Sequence, residues 1–425
     1  MLSRRRLLQA GTVAATVSAI PRFGQAEEKI SCAPPPTISN LKSMKAQATP
    51  IAPAERLARQ EKARQLMTAN HVDAIVLTAG TSLHYFTGIR WWSSERLLAA
   101  ILPAKGSPFY VCPAFEEGRA REQLGESGNQ AEVRTWNEDE SSYALVAQGL
   151  KDRGLSSGTI GIEEAVPFVF SNEIAKSAPQ IRSASAIPVT AGCRMIKSDH
   201  EIALMRLASR VTLSAYEAVY KTVKEGMTRA QIEELIAQAH TQLGFSGDAL
   251  VLVGENSAFP HGSVAPQVIR EGTIVLIDGG CSVEGYASDI TRVFVLGKPP
   301  DKMKQVFDIV YRAQSEALKT ARPGIECQGV DAVARKVITD AGYGPDYKFF
   351  THRVGHGMGM DVHEWPYLVR GNATKLETGM TFSDEPGIYI RGEFGVRLED
   401  DMHITENGAE LLTPQSPSLE EPFSM

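Results

Sequence analysis

TIVLIDGGCSVEGYASDITRVFVLG occupies residues 273–297. Two apolar runs flank a glycine-bearing middle, and each run carries an aspartate at its inner end. Asp278 closes the first run and Asp289 opens the second, 11 positions later. Short apolar runs around such a middle read as two strands of a hairpin. That hairpin would set the two carboxylates side by side. Taken alone, a strand-end Asp beside Gly is usually turn chemistry, so its meaning depends on what else returns to the same place.

A second acid pair lies downstream. TFSDEPGIYI (381–390) and GVRLED (395–400) place Glu385 and Glu399 14 positions apart, with Gly392 and Gly395 to bring the chain back. Each pair follows two helical stretches. Before the first come 199 to about 225 and TRAQIEELIAQAH (228–240), which Thr228 caps with a glutamate in support. Before the second come MKQVFDIVYRAQSEAL (303–318) and GVDAVARKVITDAG (329–342). Met303, Val306, Phe307, Val310 and Leu318 share one face of the former. Two helices and then strands, twice over, predict an internally duplicated α+β domain over 194–425.

Upstream, a helical pattern over 55–69 precedes the strand-like runs DAIVLT (73–78), AAILP (99–103) and PFYVC (108–112). Helical pieces at 114–124 and 142–153 and the strand TIGIEE (159–164) follow. The alternation predicts an α/β domain over 55–193. Residues 27–54, with Pro34-Pro35-Pro36, read as an exposed lead-in.

Four carboxylates drawn to one spot repel, and burying any of them costs several kcal/mol unless something compensates. Cations between them resolve the conflict. Oxygen-rich sites with one imidazole suit ions such as manganese or cobalt, and bridging carboxylates make a two-metal site with ions about 3.5–4 Å apart. HRVGHGMGMDVHEWP (352–366) offers the imidazole. It holds three of the chain's nine histidines among glycines that permit close backbone approach.

The ordered set D-x10-D, GHGxGxxxHE, EPG and RxE resembles the M24 metallopeptidases of pita-bread fold, in their Xaa-Pro aminopeptidase and Xaa-Pro dipeptidase branch. NSAFPHG, GYASDITR, THRVGHGMGMDVHEWP, EPGIYI and GVRLED carry the likeness. YFTG (85–88) is similar to the creatinase-type N-terminal domain, and RMIKSDHEI (194–202) to the start of the catalytic one. The resemblance covers about residues 55–415. It implies metal ligands Asp278, Asp289, His356, Glu385 and Glu399, with Asp289 and Glu399 bridging two divalent ions. Manganese stands first among these, with cobalt or zinc as alternatives. It also implies a metal-bridging hydroxide that attacks the carbonyl before proline, with Glu385 passing the proton to the leaving nitrogen. His363 would steady the oxyanion, His261 would contact substrate at the scissile bond, and Arg397 would anchor the site. His352 reads as a core or supporting residue and His403 as structural.

The implied substrate is a dipeptide, or a longer peptide with proline second. For a dipeptide, Arg370 or Lys375 could meet the free carboxylate. The resemblance implies a homodimer in which one N-terminal domain helps close the neighbour's site. Trp91-Trp92 could serve as a wall there, or as ordinary core aromatics. Metal-dependent lyases and phosphotriester-hydrolysing relatives keep a similar ligand set, so they stay as alternatives, beside a non-catalytic pita-bread binding protein. Creatinase works without metal, and methionine aminopeptidases lack the long N-terminal domain.

The 425 residues suit two domains, and a net charge of −6 offers no footprint for nucleic acid. Residues 1–26, MLSRRRLLQAGTVAATVSAIPRFGQA, show a cationic start, an apolar run and a small-residue end, the pattern of a signal peptide. Ser3-Arg4-Arg5-Arg6-Leu7-Leu8 resembles the twin-arginine type, which exports folded proteins. Its removal takes four arginines and no acid, so the charge becomes −10. The apolar run is too short and too poor in Leu and Ile to span a membrane. Expected location is therefore periplasmic or secreted. Five scattered cysteines (Cys32, Cys112, Cys193, Cys281, Cys327) form no CxxC pair, so neither a zinc ribbon nor a disulfide framework is indicated.

Overall fold

The computed structural model describes residues 33–126, 128 and 132–423, and the expected signal peptide and Cys32 lie outside them. The first domain is built on a six-stranded mixed sheet. Its central strand, Ala74–Thr78, pairs antiparallel with Ala99–Pro103 and parallel with Gly158–Ile162. Phe109–Pro113 and then Glu132–Trp136 extend one side, and Ile181–Ser185 closes the other. All five residues of the central strand are buried, which explains its unbroken apolar run. Helices Pro53–Ala69, Thr81–Thr87 and Ile187–Arg194 belong to this domain, and the YFTG stretch ends the second of them.

The segment expected to be an exposed lead-in is exposed only in part. Ile38 and Ile51 are buried in the core of the helices that follow, and the Met44 amide donates to Leu243 O at 2.8 Å. Its prolines and polar residues hid two anchor points.

In the second domain Asp199–Tyr220 and Arg229–Leu243 precede a sheet of Gly247–Val253, Ile274–Val283 and Ile290–Val295, with Tyr286–Ala287 attached. Thr228 does cap its helix, but the reciprocal partner is Gln231 rather than a glutamate. The expected hairpin forms, with Thr291 opposite Asp278 and Ile290 opposite Gly279. Alternation along it decides the packing. Val275, Ile277, Ile290 and Phe294 enter the core under helices Asp199–Tyr220 and Arg229–Leu243. Ile274, Leu276, Val293 and Val295 enter the other core, under Asp301–Thr320 and Cys327–Asp340. Both faces are covered, so the runs read as continuously apolar. By the same parity Asp278, Asp289 and Thr291 lie on the face turned toward the second half.

That second half is a five-stranded sheet in the order Glu364–Leu368, Gly355–Gly357, Thr381–Asp384, Asp400–Ile404, Ala409–Leu411. Neither TFSDEPGIYI (381–390) nor GVRLED (395–400) lies in a single strand. Gly387–Ile390 and Phe394–Arg397 leave to form a separate ribbon. The breaks fall at Glu385-Pro386 and Leu398-Glu399, so both acids sit where the chain changes sheet. Among the described residues, no helix is long and apolar enough to cross a membrane. Cys112, Cys193, Cys281 and Cys327 are unpaired and buried, with burial pushing the thiols up to about 11 or 12.

Candidate metal centre

The two halves meet at one cavity of about 180 Å³, lined by His261, Asp278, Asp289, His352, Arg353, His356, His363, Glu385, Arg397 and Glu399. The five implied ligands and His261, His363 and Arg397 all line it. Asp289, His356 and Glu399 can each turn a ligand atom to within 4.8 Å of the others. Glu385 Oε1 lies 3.3 Å from His356 Nε2, and Asp289 Oδ2 lies 3.7 Å from it. Asp278 is held apart from this group, one oxygen on the Arg397 guanidinium and the other 2.8 Å from Thr291 Oγ1.

The supports are built from both halves. Thr291 Oγ1 reaches Glu399 at 2.6 Å as well as Asp278, so its one proton serves either carboxylate while it accepts from Arg397 Nε at 3.1 Å. Arg397 also donates to Pro260 O and Tyr389 Oη. Tyr389 Oη is 2.7 Å from His352 Nε2, which brings His352 into the site's frame rather than the core. Beneath Glu399, fully buried Arg292 donates to the Glu399 carbonyl and to Asp400 at 2.6 Å. His356 stacks obliquely against His363, ring centroids 4.0 Å apart, and its amide donates to Ser383 Oγ. A Cβ at Gly355 would sit 2.0 Å from Ser383 O, and one at Gly357 2.5 Å from Glu364 O. Glycine there is a packing requirement that brings the His356 backbone against its neighbours.

Charge is poorly balanced. Burial, then the charges of Asp278, Glu385 and Asp401, hold the Asp289 carboxyl well above the ordinary carboxylate range. Burial, then Asp289 and Glu385, does the same for Glu399. Burial also pushes Glu385 up, but the hydrogen bond from His356 and the charges of His352, His356 and Arg397 outweigh it and leave Glu385 low. Burial, followed by the charge of His356, lowers His363, so its imidazole is neutral near pH 7. The four acids and the His356 imidazole, with only Arg397 of the two lining guanidiniums paired to an acid, form a donor set that fits divalent cations.

Other expectations resolve differently. Arg370 is committed to Asp346 at 2.8 Å, and the cavity lining includes neither it nor Lys375. The lining contributes instead a cation missed in the sequence, Arg353. It stacks over Tyr367 at 4.2 Å and has no acid within ion-pair distance among the described residues. Its place beside His352, three residues before His356, was the available signal. Trp92 is exposed and covered by Arg119 at 3.9 Å, so it is no core aromatic. His403 pairs with Glu410 away from the cavity.

Comparison with known proteins agrees with this geometry. Residues 203–406 match metallopeptidase family M24, and residues 59–196 match the creatinase/prolidase N-terminal domain. The chain is 33% identical to the Xaa-Pro dipeptidase of Lactobacillus delbrueckii subsp. lactis, over 84% of this chain and 97% of that one. It is 32% identical to the Xaa-Pro dipeptidase of Pyrococcus horikoshii, over 83% and 96%. The crystal structure of dipeptidase PepE from Mycobacterium ulcerans superposes with a TM-score of 0.82 at 32% identity, covering 88% of this chain and 99% of that one. The chain belongs to metallopeptidase family M24, and it is a metallopeptidase with a creatinase-type N-terminal domain.

The charge imbalance sets a pH test. Asp289 and Glu399 have raised pKa values in the folded protein, so the stability they favour is full below the unfolded carboxylate value of about 4 and is lost as pH rises. Chelated protein is therefore expected to lose thermal midpoint as pH rises above the ordinary carboxylate range, while protein loaded with manganese holds it. Parallel midpoint curves for the two forms would count against a cation-compensated acid cluster.

Proposed function

We propose that the protein hydrolyses the Xaa-Pro bond of dipeptides, with manganese as its metal. The observation that carries the dipeptide reading is Arg353, an unpaired guanidinium on the wall of the acid cavity. A dipeptide presents a free carboxylate one residue past the scissile bond, whereas a longer peptide has a neutral amide there. Arginine meets a carboxylate through paired, charge-assisted donors. The names of the similar dipeptidases support the proline preference.

Asp278, Asp289, His356, Glu385 and Glu399 would hold the metal pair. When bound, the ions supply Lewis acidity and lower the pKa of water. The chain's own groups do the rest. Glu385, low in pKa and beside His352 and His356, accepts the proton of the attacking water. As the C–N bond breaks, Glu385 returns that proton to the proline nitrogen. Neutral His363 keeps one N–H with which to stabilise the carbonyl oxygen as it gains charge. His261, exposed at the cavity mouth, contacts the substrate. Arg397 keeps Asp278 and Tyr389 in place. A tertiary amide lacks an N–H, and none of these roles asks for one.

Two further parts of the proposal rest on sequence. The acidic mature chain and residues 1–26 support export to the periplasm or beyond by the twin-arginine route, which cell fractionation with Arg5 and Arg6 replaced by lysine would check. Exposed Trp92 on the N-terminal domain supports a homodimer.

Kinetics on Gly-Pro and Gly-Pro-Ala type substrates test the central reading. With manganese present, wild type is expected to favour the dipeptide. Arg353→Gln should raise KM for the dipeptide by about 10- to 100-fold and leave the tripeptide unchanged. Glu385→Gln should lower kcat on both by about 10²-fold or more. Equal loss on both substrates in Arg353→Gln would remove the dipeptide argument.

A further inference from the structure

A second cavity, of about 720 Å³, shares no residue with the acid site. It opens where the former lead-in (Lys45), the N-terminal domain (His84, Arg90) and the catalytic domain (Ser282, Glu284, Met360) come together. His84, Arg90, Glu284 and Met360 also line an adjoining recess, where Arg56 and Arg59 join them. The charges there do not cancel. Arg59 is satisfied by Glu201 at 3.1 Å, Tyr286 Oη at 2.6 Å and Tyr85 O. Arg56 is half-buried, and among the described residues its side chain has no hydrogen bond or ion pair, the neighbouring Glu55 being engaged by His200 and the Ala52 amide. Among the described residues the Arg90 side chain meets only His84 Nε2, at 3.3 Å, and no carboxylate. Glu284 is the one acid on either wall, and it pairs with none of these cations.

A half-buried guanidinium whose donors no acceptor meets is costly to keep. The strain is visible in its neighbours: burial, then the charges of Arg90, Arg56 and Arg59, push His84 down to about 4. His84 is therefore neutral. Because Nε2 accepts from Arg90, Nδ1 carries the proton as an added donor. Across the cleft and its recess, the guanidiniums of Arg56 and Arg90, an imidazole N–H and the Lys45 ammonium face a single acid, Glu284.

We propose that this cleft and its adjoining recess bind the phosphate group of a small phosphorylated molecule, with Arg90 on their shared wall and Arg56 in the recess as its principal contacts. Guanidinium forks match phosphate oxygens. A volume of about 720 Å³ is in the range of small-molecule sites and exceeds what a bare phosphate fills. The occupant would lie against Met360, in the segment between His356 and His363. That segment is tied in turn to the hairpin, since the Ala287 amide donates to Gly359 O at 2.8 Å.

Calorimetric titration of the manganese-loaded full chain with adenosine monophosphate and with inorganic phosphate, against chloride at matched ionic strength, tests this. One saturable site per chain is expected. Arg56→Gln and Arg90→Gln should each weaken it by about tenfold or more, and Arg353→Gln should leave it unchanged. Tighter binding of the nucleotide identifies a phosphate ester as the ligand, and tighter binding of phosphate identifies the free ion. Thermal midpoints without anion verify that the variants fold. Should either glutamine variant unfold, exposed Lys45→Gln gives the same readout at smaller effect. No saturation above chloride, or binding that survives in the two arginine variants, overturns the proposal.

Discussion

Mutual repulsion among four carboxylates is the constraint on which the rest of this molecule turns. Two unit charges about 4 Å apart repel by about 4 kcal/mol even at an effective dielectric of 20, and here four acids share one cavity with two guanidiniums, of which Arg397 alone pairs with any of them. Arg397 offsets Asp278, Thr291 offers one proton to two acids, and His356 leans on Glu385. These contacts hold the acids in place without neutralising them. Divalent cations complete the balance, which is why the raised Asp289 and Glu399 belong to the same account as the ligand set.

The fold concentrates this tension at a seam between two halves of similar build. One half supplies Asp278 and Asp289 from adjacent strands, and the other supplies Glu385 and Glu399 from two points where the chain leaves one sheet for another. The halves are pinned where Glu399 N donates to Thr291 O and where buried Arg292 ties the Glu399 carbonyl to Asp400. Gly355 and Gly357 allow the His356 strand to approach closer than any side chain would permit. Each device costs little alone, and together they bring the five candidate donors to one cavity, three of them within 4.8 Å of one another.

Much of this was legible in the chain. Runs buried on both faces, such as TIVLI, announce a strand whatever its register, and capped helices such as Arg229–Leu243 carry their own start signals. What escaped has a common cause. Glu132–Trp136 and Ile181–Ser185 are the two edges of their sheet and carry the polar residues that edges use. Gly355–Gly357 is too short and glycine-rich to show any period. The ligand set was read from ordered motifs and the structure gathers it in one place, but Arg353 was passed over because an unpaired cation is visible only once its neighbours are known. Arg370, offered beside Lys375 to meet the free carboxylate, is paired with Asp346 instead.

Metal content per folded chain, measured by elemental mass spectrometry after equilibration with manganese, bears most directly on the whole account. Two equivalents are expected in the wild type, with loss of at least one in Glu399→Gln. A wild type that retains none, or a Glu399→Gln chain that still holds two, would contradict it.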